Sequence, residues 1–253
     1  MTNQNPNIQL YEVIRIIDGI PVFLEDHLSR LYISAQLTGM DRLPKPASLE
    51  VMIKNYVSNQ KQKTGNIKLS FSFSDHSTEP QCELTFIPHY YPSREEYTHG
   101  VKVGLMEAVR PIPQAKVQYT DIRDRANQLI SDNGLYEVLL IDSDGNITEG
   151  SKSNVFFIKN DILYSASADK ILQGITWIKV KQLCEKAGIQ VIELAIPANT
   201  LGRYDVAFLT GTSPKVLPIS SIENFAYKTD LPLLIKLREI YDKMIDDYLL
   251  PRR

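Results

Sequence analysis

This sequence predicts a mixed α+β fold in two parts, and three observations carry the prediction. Apolar residues recur at every second position in some stretches and at three-to-four-residue spacing in others, so strands and helices both occur. Asp18-Gly19 and Asp144-Gly145 each stand between two β-rich runs, the pattern of a hairpin turn. The segment His89-Tyr90-Tyr91-Pro92-Ser93-Arg94-Glu95-Glu96 breaks both periodicities and reads as a domain linker. It divides a smaller α/β domain, residues 1–89, from a larger domain, residues 90–253.

The elements follow in order. Leu10 to Ile17 and Ile20 to Leu24 form the first hairpin. His27 to Leu37 carries Leu28, Leu31, Ile33, Ala35 and Leu37 at mostly helical spacing and stops at Gly39. A second helix runs from Leu49 to Val57 with Ser48 as its N-cap. Asn66 to Phe73 alternates Ile67, Leu69, Phe71 and Phe73 with polar residues, a half-buried strand, and Cys82 to Pro88 reads as its neighbour. Beyond the linker, Val101 to Met106 is a strand, and the two prolines of Arg110-Pro111-Ile112-Pro113 exclude regular structure. A helix over Ile122 to Asp132 precedes strands at Tyr136 to Ile141 and Ile147 to Ile158, then a hairpin into Ile162-Leu163-Tyr164. Thr176 to Ala187 is a helix ended by Gly188; Val191 to Glu193 is a strand. Val206 to Thr210 is a buried strand entering the loop Gly211-Thr212-Ser213-Pro214. Leu233 to Leu249 closes the chain as an amphipathic helix with Leu234, Leu237, Ile240, Met244 and Ile245 on one face.

Composition narrows the function. Of 253 residues, 43% are hydrophobic and 23% charged, ordinary values for a globular protein. A net charge of −2 gives no electrostatic reason to expect nucleic acid or an acidic membrane as partner. Cys82 and Cys184 are far apart and make no metal-ligand pattern, so a reducing cytosol is the simplest setting. Met1 to Gln9 is polar and lacks the apolar core of a signal peptide, and no run reaches the length of a membrane span. A cytoplasmic protein is expected. His27, His76, His89 and His99 have neither zinc spacing nor a nucleophile beside them, and no P-loop or dinucleotide fingerprint occurs, so no metal is expected.

The chemistry concentrates between Tyr136 and Thr176. Leu139-Leu140-Ile141 leads through an Asp-Gly turn to Thr148-Glu149-Gly150-Ser151, then to Asn154-Val155-Phe156-Phe157. Further on, Gly174-Ile175-Thr176 opens a helix, whose N-terminal N–H groups are a natural anion site. Gly211-Thr212-Ser213 follows a buried strand and offers hydroxyl and backbone donors in the same way. Upstream, Lys116 is the one lysine between Lys102 and Lys152, and Arg30 lies in Glu25-Asp26-His27-Leu28-Ser29-Arg30-Leu31. By residue type alone Lys116 is a solvated lysine, Arg30 a surface arginine, and Gly-Ile-Thr a turn with a cap.

Taken in this order, the motifs resemble the class IV aminotransferases, which use pyridoxal 5′-phosphate (PLP). The resemblance covers nearly the whole chain from about Leu10 and is strongest from Tyr136 to Thr176. It implies the two-domain fold-type IV architecture, like D-amino-acid aminotransferase, with the cofactor between the domains and a homodimer as the assembly. It implies that Lys116 bonds to the cofactor aldehyde and then carries protons between the substrate Cα and the cofactor. Glu149 falls where a carboxylate keeps the pyridine nitrogen protonated, and Arg30, Ile175, Thr176 and Thr212 fall where the phosphate is held. Tyr11 corresponds to a tyrosine on the substrate side, though a strand tyrosine is more often core; Tyr119 is a candidate for the cofactor's phenolic oxygen.

Three departures qualify the likeness. The chain begins almost at the first matching strand, without the usual N-terminal hairpin. Trp177 stands where arginine is common. Phe71-Ser72-Phe73-Ser74-Asp75 lacks the arginine that holds the substrate carboxylate in D-amino-acid aminotransferases, which argues against D-amino acids. Arg110 is the candidate substitute, or a structural loop arginine. The expected reaction is amino transfer between an amino acid, branched-chain L-amino acids first, and a 2-oxo acid. A lyase resembling 4-amino-4-deoxychorismate lyase, releasing pyruvate, and a non-catalytic PLP-binding protein stay open.

Overall fold

The computed structural model describes residues 9–40, 42–73 and 80–253. The chain forms two compact units, one of Met1–Tyr90, Gln114–Gln118 and Ile245–Arg253, the other of Tyr91–Pro113 and Tyr119–Met244.

The first unit holds β1 (Gln9–Ile17), β2 (Ile20–Pro21), α1 (Leu24–Thr38), α2 (Pro46–Asn59), β3 (Gly65–Ser72) and β4 (Gln81–Ile87). Its antiparallel sheet runs in the order β2-β1-β3-β4. Asp18 and Gly19 take φ of 52° and 81°, the left-handed pair that a tight hairpin requires. The second strand is shorter than expected, because α1 already opens at Leu24. Gly39, at φ 69°, ends that helix. Helix α2 begins at Pro46 with Lys45 as its N-cap, not Ser48, since proline at the first helical position lacks only an N–H that the helix would not use.

Strand β3 is not half-buried: six of its eight residues are buried, including Asn66 and Ser70. The alternation in its sequence therefore sorts the two faces by polarity rather than by wetness. Register places Leu10, Glu12 and Ile14 opposite Phe71, Leu69 and Ile67 on one face. Tyr11, Val13 and Arg15 lie opposite Ser70, Lys68 and Asn66 on the other, a polar and largely enclosed face.

The second unit holds α3 (Arg94–His99), β5 (Val101–Glu107), α4 (Thr120–Asn133), β6 (Glu137–Ile141), β7 (Asn146–Gly150), β8 (Asn154–Lys159) and β9 (Ile162–Ser165). It continues with α5 (Ile175–Lys186), β10 (Val191–Glu193), β11 (Ile196–Pro197), β12 (Val206–Gly211), β13 (Lys215–Ile222), β14 (Phe225–Ala226) and α6 (Pro232–Leu249), whose last turns belong to the first unit. The sheet runs β10-β9-β8-β12-β13-β5-β6-β7-β11, with β14 beside β13. Successive residues of β6 serve its two faces: Val138 and Leu140 pack with Ile122 and Ala126 of α4, while Leu139 joins Val103, Phe157 and Leu209. On α6 the buried stripe is Leu234, Leu237, Tyr241, Ile245 and Leu249, with Ile240 and Met244 on its flank.

Further elements depart from expectation: the strand expected over Ile147 to Ile158 is two, β7 and β8, broken at the turn after Gly150. The stretch read as linker runs into α3, which opens with a capping box between Ser93 and Glu96. Strand β13 is absent from the sequence reading because Pro218 sits in it. Pro218 is tolerated because it faces Phe208 of β12, while pairing with β5 begins only at Ile219. No helix among the described residues is long and apolar enough to cross a membrane.

Candidate active site

In the first unit, Lys116 is fixed by its backbone. Its N–H donates to Ser34 Oγ at 2.9 Å and its carbonyl accepts from Tyr11 N–H at 3.2 Å, while Leu10 and Val117 form a bridge. The side chain, half-buried, ends with Nζ 4.8 Å from the centre of the Tyr11 ring. Lys68 Nζ lies 5.3 Å from the same ring and donates to the amide oxygens of Gln118 at 2.7 Å and Gln9 at 3.2 Å. Tyr11, only 7% exposed, thus meets two lysine ammonium groups on the polar face of the sheet.

Arg30 projects from the buried stripe of α1. Its Nε and Nη2 donate to the two carboxylate oxygens of Glu12 at 2.8 and 2.6 Å, and Glu12 is completely buried. The His27 ring nitrogen Nδ1 lies 2.7 Å from the same carboxylate and must donate, because an ionised carboxylate only accepts. Burial works against the charge on Glu12, but Arg30 and His27 outweigh it and hold the group at about 2. Burial, helped by the Arg30 charge, pushes His27 down despite the Glu12 contact, so the imidazole is neutral. Sequence reasoning missed Glu12, His27 and Ser34, although three polar residues within the buried stripe of α1 were a legible signal.

In the second unit, Glu149 is buried on β7. Its Oε2 accepts from Leu172 N–H at 3.2 Å and its Oε1 lies 3.1 Å from Arg110 Nε, outside the direction of a good hydrogen bond. Arg110 Nη2 donates to the carbonyls of Ser151 at 2.9 Å and Gly150 at 3.4 Å. Arg110, read from sequence as a substrate ligand or a loop arginine, contacts Glu149 and its turn. Tyr119 accepts from Ile112 N–H at 3.1 Å, and burial raises its hydroxyl, with Arg110 lowering and Glu149 raising it further. The turn after Glu149 is pinned by buried Glu137, which accepts from Ser151 Oγ at 2.6 Å, Ser153 Oγ at 2.9 Å and Lys152 N–H at 3.1 Å.

Asn154, also unforeseen, shapes the approach to α5. Its Nδ2 donates to Leu172 O at 2.8 Å and its Oδ1 accepts from Gly174 N–H at 3.2 Å. A Cβ on residue 174 would collide with that oxygen, so a larger residue there would displace the Asn154 side chain. Helix α5 then starts with no side-chain cap and no acidic residue in its first turn, leaving Ile175 and Thr176 N–H groups to other acceptors. Thr176 Oγ1 lies 3.1 Å from Tyr241 Oη, both residues buried. Thr212 sits in the β12–β13 turn next to Thr210, whose buried hydroxyl has no hydrogen-bond partner among the described residues. Trp177 is not in an arginine-like role: its Nε1 donates to Ser165 Oγ at 2.9 Å and its ring stacks on Phe156.

These residues fit PLP. Within the second unit, an uncapped helix N-terminus and a hydroxyl without a partner among the described residues suit the phosphate and a buried carboxylate suits the pyridine nitrogen; within the first unit, a half-buried amine suits the aldehyde. Of the substrate-selecting segment, Phe71–Phe73 is described, while Ser74, Asp75 and His76 lie outside the described residues.

Comparison with known proteins agrees. The family model for amino-transferase class IV matches residues 9–222. A D-alanine aminotransferase of Bacillus licheniformis is 31% identical over 227 residues, covering 85% of this chain and 78% of that protein. A branched-chain amino acid aminotransferase of T.th., solved with pyridoxamine 5′-phosphate, superposes with a TM-score of 0.83 at 25% identity, covering 94% of this chain and 85% of the other. The 4-amino-4-deoxychorismate lyase of Pseudomonas aeruginosa gives 0.83 at 18% identity, covering 94% and 91%, a likeness of fold. With the motifs in order, the folds alike and the match running through most of its length, the chain belongs to the class IV aminotransferases, enzymes dependent on pyridoxal 5′-phosphate.

Proposed function

We propose that this enzyme moves an amino group between an amino acid and a 2-oxo acid, with Lys116 as the catalytic residue. The observation that carries the reading is the buried Glu149 carboxylate, held between Leu172 N–H and Arg110 beside the turn that opens α5. When bound, PLP supplies an aldehyde that takes up amino groups and a protonated ring that withdraws electrons. Glu149 holds the proton on that ring nitrogen. Arg110 keeps Glu149 aimed, a positioning role. Lys116 Nζ would take the proton from the substrate Cα and return it to the cofactor's C4′, two atoms along; the Tyr11 ring and the backbone ties to Ser34 and Tyr11 hold the lysine in place. Ile175 and Thr176 N–H, with Thr212, bind the phosphate, and Glu12 fixes the orientation in which Arg30 supports them. Lys68, a cation on neutral amides, takes over the substrate carboxylate beside Tyr11.

Branched-chain L-amino acids remain our first donors. D-alanine is the second reading, favoured by the 31% identity to a D-alanine aminotransferase. We further propose a cytoplasmic homodimer, the latter checked by sedimentation equilibrium. The test of function is the visible spectrum of the protein loaded with PLP, followed by borohydride reduction and peptide mapping. A reduced label on Lys116 supports the assignment; a label on another lysine sinks it. Bleaching of the band by L-leucine, by D-alanine or by neither then decides between the donors, and pyruvate released without an amino acceptor would make the enzyme a lyase.

A further inference from the structure

We infer that Tyr241 is a positioning residue for the cofactor phosphate, holding the Thr176 hydroxyl so that α5 meets the phosphate with an oriented O–H as well as main-chain N–H groups. The inference rests on the placement of the phosphate at Ile175 and Thr176 proposed above. Tyr241 lies in the stripe Leu234, Leu237, Tyr241, Ile245, Leu249, where its hydroxyl is the one polar side-chain group. Phenylalanine would fill the same volume, so packing does not account for the oxygen.

That oxygen lies 3.1 Å from Thr176 Oγ1, and between two neutral hydroxyls either can donate. A phosphate dianion at the helix N-terminus removes the ambiguity. Thr176 turns its single proton to the anion, and Tyr241 donates to the lone pair left behind. Two hydrogen bonds in series polarise each other, so the Thr176 hydroxyl becomes a stronger donor than it would be alone.

The same helix also reaches the second phosphate segment. Asp242 accepts from Lys215 Nζ at 2.7 Å, and Lys215 takes the left-handed φ of 53° next to the Thr212 turn. Arg238, one turn earlier, donates to Tyr97 O at 2.8 Å, and Tyr97 Oη donates to Pro214 O at 2.9 Å. Tyr97, Lys215, Val216, Arg238, Tyr241 and Asp242 enclose a cavity of about 60 Å³. One face of α6 thus ties down the backs of both segments, and Tyr241 is its contact with a group assigned to the phosphate itself.

The test is titration of the apoprotein with PLP and, separately, with pyridoxal, which lacks the phosphate, followed by absorbance. Tyr241→Phe is expected to weaken PLP binding about three- to tenfold and leave pyridoxal binding unchanged. Thr176→Val is expected to weaken PLP binding at least as much, and the double variant no further than Thr176→Val alone. The phosphorus resonance of bound PLP should move in Tyr241→Phe. Wild-type PLP affinity in Tyr241→Phe, with Thr176→Val weakened, overturns the inference and spares the phosphate assignment. Equal weakening toward PLP and pyridoxal makes Tyr241 a packing residue and overturns it too. No effect of Thr176→Val on PLP binding overturns the inference, because the hydroxyl that Tyr241 would orient is then unused, and leaves the main-chain N–H assignment standing.

Discussion

Arg30 and Glu12 in one unit meet through two nearly parallel hydrogen bonds of 2.8 and 2.6 Å, with neutral His27 completing the carboxylate's shell. Arg110 and Glu149 in the other unit meet through one nitrogen at 3.1 Å, and the rest of the arginine fork goes to main-chain carbonyls. Both pairs are buried, yet only the first is bidentate. A closed bidentate pair fixes geometry, whereas an open one leaves its carboxylate oriented toward a further partner. Burial alone therefore does not tell the two pairs apart; the bonding between the partners does.

The comparison breaks most sharply at Glu12. Glu12→Gln leaves the Arg30 charge buried without its partner, and urea denaturation is expected to show a loss of about 3–5 kcal/mol. Glu149→Gln should separate the two roles: transamination falls by about a hundredfold, while stability drops by only about 1–3 kcal/mol because Arg110 keeps its carbonyl partners. If the two variants cost equal stability and activity survives in Glu149→Gln, the contrast is wrong.

Acid titration sharpens the first pair. Glu12 is held down at about 2 from 4.5, so its contribution is complete above pH 4.5 and disappears as pH falls toward 2. His27 is also lowered, from 6.5, so the unfolded chain takes up its proton first and stability declines below pH 6.5. Urea midpoints should fall steadily on acidification through both windows, and Glu12→Gln should flatten the lower one. The smallest effect belongs to an exposed pair used as control. Lys54 and Glu50 lie 2.6 Å apart on the surface of α2, and Lys54→Ala is expected to cost no more than about 0.5 kcal/mol.

How far the sequence could be read follows the same physics. The helices α1, α5 and α6 and the hairpin at Asp18-Gly19 were legible because their periodicity and turn chemistry are local. Strand β13 was not, since the reason Pro218 is harmless lies in which neighbour each edge of the strand meets. The motif residues Lys116, Glu149, Ile175 and Thr176 stood out through their order along the chain. Their supports did not: Glu12, Ser34, Glu137, Asn154 and Tyr241 have no motif and act through contacts between residues 14 to 82 positions apart. Arg110 reads from sequence as either a substrate ligand or a loop arginine, because nothing in its loop reveals that it folds back on Glu149.

The first unit is drawn from three separated pieces of chain, and its last piece, 245–253, packs at the start of α1. Tyr248 Oη donates to Glu25 at 2.7 Å, its ring meets Phe23 at 4.9 Å, and Arg252 and Arg253 pair with Glu25 and Asp18. During synthesis, then, β1 to β4 emerge early but wait for Gln114–Gln118, and again for the final turns of α6, before the unit can close. Its contacts are of high sequence separation, so the lysine-bearing half should mature late and slowly on the ribosome, and a nascent chain stopped before residue 245 should hold it incompletely folded.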